Sequence, residues 1–256
     1  MIFDFTSQVA IVTGGSDGIG RATAALLARS GATVIICARR PEKLDEARAD
    51  IAKLGKVETI QLDVSDDAAF TAMVEDVASR HGRLDMMVNN AMSVHYAPIA
   101  KLTLEQWRRD FAVNAEAVFI GTKAAMNVMM AAGKGSIVNI SSSCGIRAAP
   151  YMASYSASKA ALIQFTAVAA MEGARRNVRV NAIVPGQVNT PATENYNAIA
   201  PEAAARTTEA IPMGRGGTPD ELAQAIFFML SDAASYITGT ALPVDGGKAA
   251  QLYLPS

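Results

Sequence analysis

Short β-branched runs alternating with longer Ala/Leu-rich segments constrain this chain more than any other feature. The runs occupy residues 9–13, 33–37, 57–62, 84–88, 136–140, 179–184 and 240–244. Between them, apolar residues recur at helical spacing over 19–29, 42–54, 67–80, 104–131, 155–175 and 219–230. In 67–80, for example, Phe70, Met73, Val74 and Val77 share a face that Glu75, Asp76 and Arg80 avoid. Runs such as Val34-Ile35-Ile36 are apolar throughout, as strands covered by helices on both faces must be. Alternation of this kind builds βαβ crossovers, so the expected fold is α/β: one doubly wound, Rossmann-type parallel sheet of about seven strands with helices on both faces. A single domain over 1–256 is expected, and the Pro/Gly/Thr/Asn-rich excursion at 190–212 is expected to be a substrate-binding lid.

Composition excludes several function classes. The formal net charge of −1, with 23 basic against 24 acidic side chains, lacks the basic footprint of a nucleic-acid binder. Two cysteines and two histidines give no basis for a disulfide framework or a structural metal site. No run approaches the roughly 18–20 uninterrupted apolar residues of a membrane span. The opening Met1-Ile2-Phe3-Asp4 carries no basic-then-apolar leader pattern. A soluble, cytoplasmic protein is expected.

Thr13-Gly14-Gly15-Ser16-Asp17-Gly18-Ile19-Gly20 joins the first strand to the first helix. Glycines there let a pyrophosphate approach the backbone, where the N–H groups and positive end of the helix receive it. Tight turns need glycine for their own sake, and it is the position directly after strand one that points to a nucleotide. The second strand ends not in a carboxylate, which would bond a ribose 2′-hydroxyl, but in Cys37-Ala38-Arg39-Arg40. A guanidinium pairs with a 2′-phosphate, so NADP(H) is favoured over NAD(H), with Ser16 as an added donor and Asp17 as a charge of the wrong sign. Solvated loop charge is the other reading of Arg39 and Arg40.

Tyr155 and Lys159 are four residues apart and share a helix face. An ammonium beside a phenol lowers its pKa toward the range useful in acid–base catalysis. Most Tyr-x-x-x-Lys matches are nonetheless ordinary helix surface. Here Ser142 lies thirteen residues ahead of the tyrosine, Asn89-Asn90-Ala91 follows the fourth strand and Pro185-Gly186 the sixth, in order with the phosphate turn.

In this combination the sequence resembles the short-chain dehydrogenase/reductase family over about Gln8 to Gly247. The resemblance implies a cofactor turn at Gly14, Ser16, Asp17, Gly18, Ile19 and Gly20, and an adenine contact at Asp63 and Val64. Asn90 and Ala91 match its Asn-Asn-Ala-Gly motif, with Met92 in place of the glycine. It implies that Pro185, Gly186, Val188 and Thr190 meet the nicotinamide carboxamide and phosphates. It makes Tyr155 the acid/base, Ser142 the residue bonding the substrate oxygen, and Lys159 the group that lowers the tyrosine pKa and bonds the ribose. Asn114 would hold a water in a proton relay. By the same analogy Met92, His95, Cys144, Tyr151 and Gln187 border the substrate, with Asn195 and Arg206 as further polar contacts. The implied activity is hydride transfer between NADP(H) and a neutral, mostly apolar ketone or secondary alcohol, in a homotetramer or homodimer. A 3-oxoacyl-thioester (acyl-carrier-protein) reductase is the alternative, for which Arg175-Arg176 is the one candidate docking patch. Enoyl reductases of the superfamily space their Tyr and Lys more widely. A non-catalytic NADP(H) sensor would have no need of Asn114, Ser142, Tyr155 and Lys159 together.

Overall fold

Seven parallel strands form one sheet, in the order β3-β2-β1-β4-β5-β6-β7. The computed structural model describes residues 3–199 and 201–251. The strands are β1 Val9–Thr13, β2 Thr33–Ala38, β3 Lys56–Gln61, β4 Met86–Asn89, β5 Gly135–Ile140, β6 Val178–Pro185 and β7 Ala241–Val244. Connecting helices are α1 Gly18–Arg29, α2 Pro41–Ile51, α3 Asp67–His81, α4 Leu104–Phe111, α5 Ala117–Ala132, α6 Ala153–Ala174, α7 Pro191–Ile199, α8 Pro201–Glu209 and α9 Pro219–Leu230.

Alternation along β1 explains why a continuously apolar run is required. Ala10 and Val12 face a layer made by Leu27 of α1, Leu44 of α2 and Ile226 of α9. Val9 and Ile11 face the opposite layer, with Phe70 and Val74 of α3, Met129 of α5 and Ala169 of α6. Each fully buried Leu, Ile, Val or Phe contributes roughly 1.5–3 kcal/mol relative to exposure, and both layers are filled with them. Strand order reverses between β1 and β4, where Ala10 pairs with Met86 and Val12 with Val88. The neighbouring crossovers therefore diverge and open a crevice at the carboxyl ends of the strands.

Two elements depart from the periodicity. The helix expected over 104–131 is broken: α4 ends at Phe111, and a π-helical turn, Ala112–Glu116, precedes α5. Asn114 lies in that turn and bonds both Ser93 and Ser158, and π turns commonly serve such local demands. The excursion after β6 contains two helices, α7 and α8, and a bridge between Val188 and Gly217 closes its base.

Below the crevice runs a buried polar chain. Asn89 at the end of β4 donates to Asn139 of β5 at 2.8 Å and to Thr122 of α5 at 3.1 Å; Asn139 in turn donates to Thr166 of α6 at 2.9 Å. These bonds fix the ends of two central strands against α6, the helix that carries Tyr155.

Candidate active site

A cleft of about 860 Å3 follows the carboxyl ends of the strands. Gly14, Ser16, Asp17, Gly18 and Ile19 line it after β1. Gly14 (φ +64°) and Gly18 (φ +50°) take left-handed conformations, and a Cβ on Gly18 would come within 3.2 Å of the Thr190 methyl. Gly20 lies off the wall. A Cβ there would stand 2.4 Å from the Gly14 carbonyl oxygen and 2.5 Å from Asn90 Nδ2, so this glycine lets α1 pack against the β1–β4 junction. Asn90 donates to the carbonyls of Thr13 (3.0 Å) and Gly14 (3.2 Å), holding the turn from beneath. Ala91 lines the wall beside it.

Asp17 has a structural use: it is the N-cap of α1 and accepts from Gly18 N at 2.8 Å. Its carboxylate also lies 3.8 Å from Arg40. Arg39 and Arg40 are exposed on the cleft rim, just after the small Ala38 that ends β2. Asp63 and Val64 follow β3. Although partial burial acts to raise the Asp63 pKa, bonds from Arg109 (2.9 Å) and from the backbone and hydroxyl of Ser65 bring it down to about 2. Arg109 itself lines the cleft, and no sequence motif marks it.

At the other end stand Ser142, Tyr155 and Lys159. Ser142 leaves β5 in an extended conformation and accepts from Cys144 N at 3.2 Å, and its hydroxyl acts to lower the pKa of the Tyr155 phenol. Lys159 is 1% exposed, donates to the Ile140 carbonyl at 2.7 Å and lies 5.8 Å from the tyrosine ring centroid. Burial draws its pKa from 10.5 to about 7, and burial pushes the Tyr155 phenol up, with the Ser142 bond opposing. The sequence expects the ammonium to lower the phenol. In the polypeptide alone desolvation moves the two groups the other way, because it disfavours the charged form of both.

Pro185, Gly186, Gln187, Val188 and Thr190 line the cleft after β6. Gln187 donates to Thr208 Oγ1 at 3.0 Å, while its Oε1 is buried without a hydrogen-bond partner among the described residues. Met92, exposed by 48%, and Cys144 lie on the wall; Val94, Tyr96, Ala149 and Met152 extend its apolar side. Besides Gly20, three expected positions stand elsewhere. Tyr151 is exposed at φ +66°, and its carbonyl accepts from Ala97 N. Asn114 is fully buried behind the reactive wall. Its amide donates to Ser93 O (2.8 Å) and Ser158 Oγ (3.1 Å) and accepts from Ser93 N (2.9 Å). His95 is turned to Asp110, with 2.8 Å between Nδ1 and Oδ1. The Asn195 side chain lies outside the described residues, and Arg206 sits on α8 with Glu202 4.0 Å away. Among the described residues no cluster of His, Cys, Asp or Glu could hold a metal ion.

The glycine turn at the start of α1, the Arg39–Arg40 rim and the Ser142, Tyr155 and Lys159 side chains thus share one cleft. The family model described as enoyl-(acyl carrier protein) reductase matches residues 14–249. The 3-oxoacyl-[acyl-carrier-protein] reductase of Thermotoga maritima is 41% identical over 242 residues, covering 94% of this chain and 97% of that protein. Cyclopentanol dehydrogenase of Comamonas sp. is 39% identical over 244 residues, covering 95% and 97%. A Beutenbergia cavernae chain crystallised with bound NADP superposes with a TM-score of 0.93 at 37% identity, covering 98% of this chain and 100% of its own. The chain belongs to the short-chain dehydrogenase/reductase family.

Proposed function

We propose that residues 1–256 form one catalytic domain, an NADP(H)-dependent oxidoreductase that interconverts a neutral, mostly apolar ketone and its secondary alcohol. The observation that carries this reading is the meeting of Ser142, Tyr155 and Lys159 on one wall of a cleft whose opposite end is the glycine turn at the start of α1. The residues fit the cofactor. The left-handed glycines leave room for a pyrophosphate at the helix end, and Arg39 and Arg40 suit a 2′-phosphate where β2 ends in Ala38. Asp63 and Val64 serve the adenine, while Pro185, Gly186, Val188 and Thr190 serve the nicotinamide half.

When bound, the dinucleotide supplies or takes up hydride. The chain's own groups handle the oxygen. Ser142 donates to it as charge develops, and Tyr155 delivers its phenolic proton to it in reduction or removes one in oxidation. Lys159, whose pKa burial draws down toward neutrality, can replenish that proton. Asn114 continues the route toward solvent. The substrate side is apolar, bounded by Met92, Val94, Tyr96, Cys144, Ala149 and Met152. Among the described lining residues the cations are Lys159 and the three arginines 39, 40 and 109 toward the adenine end. A cyclic ketone suits such a wall, and the Comamonas relative supports it. Thr190, Pro191, Thr193, Asn197, Ala204 and Thr207 make the 190–212 excursion the lid.

The Thermotoga relative favours a second reading, reduction of a 3-oxoacyl thioester on a carrier protein. Against it, Arg175 and Arg176 precede β6, on the order of 25 Å along the strand from the cleft end, so they are no docking patch at its mouth. No described helix is long and apolar enough to cross a membrane. The deciding assay compares cyclic ketones, their alcohols and acetoacetyl thioesters with NADPH/NADP and NADH/NAD. Tyr155→Phe is expected to abolish turnover while leaving NADPH binding measurable; near-full activity would sink the mechanism, and turnover by the wild type would sink a sensor role.

A further inference from the structure

Asp110 is fully buried at the end of α4, where the His95 imidazole stands 2.8 Å from its carboxylate. Four donors converge on its two oxygens. Ser93 Oγ and His95 Nδ1 reach Oδ1 at 2.8 Å each, and His95 N (3.2 Å) and Ser154 Oγ (2.6 Å) reach Oδ2. Three of these belong to the segment 93–95, whose neighbours Val94 and Tyr96 line the cleft. The fourth hangs on the residue before Tyr155. One turn later Asn114 repeats the pattern, with Ser93 on one side and Ser158 on the other. Asp110 to Ser154 and Asn114 to Ser158 are thus successive rungs between the α4–π segment and α6.

A buried carboxylate is costly unless its acceptor sites are filled, and hydride transfer itself does not require one here. We infer that Asp110 is a positioning residue: it fixes the 93–96 wall of the substrate pocket against the helix that carries Tyr155, and so sets how tightly a ketone is held. The inference rests on the hydride-transfer reading. It has an electrostatic corollary. Burial is the main cause that raises the pKa of the Tyr155 phenol, Cys144, Tyr96 and the Asp110 charge act in the same direction and Ser142 opposes them, so removing the Asp110 charge lowers it.

The test measures kcat, KM and NADPH dissociation constants for the wild type, Asp110→Ala, Asp110→Asn and His95→Ala, with amide hydrogen exchange at residues 93–97. Asp110→Ala is expected to raise the ketone KM about tenfold, leave the NADPH dissociation constant within about twofold and speed exchange at 93–97. Asp110→Asn should recover most of the KM, since the amide keeps one acceptor and the Ser93 hydroxyl can turn to accept from the new NH2. Its pH–rate limb for alcohol oxidation should move to lower pH. An unchanged KM in Asp110→Ala, equal rises in KM and the NADPH constant, or no recovery in Asp110→Asn would overturn the inference. Should Asp110→Ala not fold, His95→Ala decides: its imidazole is partly exposed, and its KM and exchange must move the same way without loss of NADPH binding, an unchanged KM counting against the proposal. A wild type that turns over nothing in the panel defeats the hydride-transfer reading instead, and exchange at 93–97 in the variants still reports on the clamp.

Discussion

A lysine with 1% of its surface exposed and the Ile140 carbonyl as its acceptor marks the place where stability is given up for chemistry. The unfolded chain holds this proton up to pH 10.5, whereas the folded chain releases it near 7. Stability therefore rises with pH across that window; the penalty is whole below pH 7 and gone above 10.5, and it amounts to something on the order of 5 kcal/mol. Lys159→Met is expected to melt several degrees above the wild type at pH 7 without cofactor, to converge with it toward pH 10, and to be inactive; equal melting at pH 7 would refute the account. Asp17 offers a second test. Asn retains the helix cap but removes the charge near Arg40, so Asp17→Asn should tighten NADPH severalfold and leave NADH unchanged in a fluorescence titration. Equal changes for both would show that the rim does not sense the 2′-phosphate. Tyr155, Lys159 and Ser142 were legible in the sequence because local spacing carries them. Asp110 was not, since its partners include Ser154, 44 residues away, and no local pattern encodes that pairing.

Among the elements, the turn between β1 and α1 has the tightest tolerance. A methyl on Gly20 would overlap the Gly14 carbonyl and the Asn90 amide, so Gly20→Ala must push α1 off the sheet. Chemical denaturation should show a loss of about 1–3 kcal/mol, with NADPH binding lost as well. Gly82→Ala is the control: a Cβ there meets nothing within 4 Å, so it adds backbone strain at φ +68° without a clash, and cofactor binding should persist. Strand and helix periods read correctly from sequence wherever one face is buried. They failed at 104–131, because the apolar pattern runs on through a break that Asn114 and its cross-helix bonds impose. The excursion after β6 was visible, but not its two helices α7 and α8, since neither has a long apolar stripe to declare it.

For the whole molecule, cleft residues run from Gly14 to Thr207, so the motifs that point to the fold also span the cleft from end to end. The outer face of α5 and α6 leaves Phe119, Val168 and Met171 exposed, the last by 81%, where a homotetramer or homodimer would bury them. Light scattering is expected to give an oligomeric mass for the wild type and a smaller one for Phe119→Glu/Met171→Glu; an unchanged mass would place the contact elsewhere. The strand order has a consequence for the chain's birth on the ribosome. β1 pairs first with β2, but its other edge waits for β4, and β6 waits for β7 at residues 241–244. A growing chain therefore presents one open, apolar strand edge after another, the condition under which nascent polypeptides need shelter. Asp245, directly after β7, packs against Gly186 on the cleft wall, so the pocket is finished only once this last strand of the sheet is in place. Cofactor can stabilise a completed protein but gives no help to one still being made.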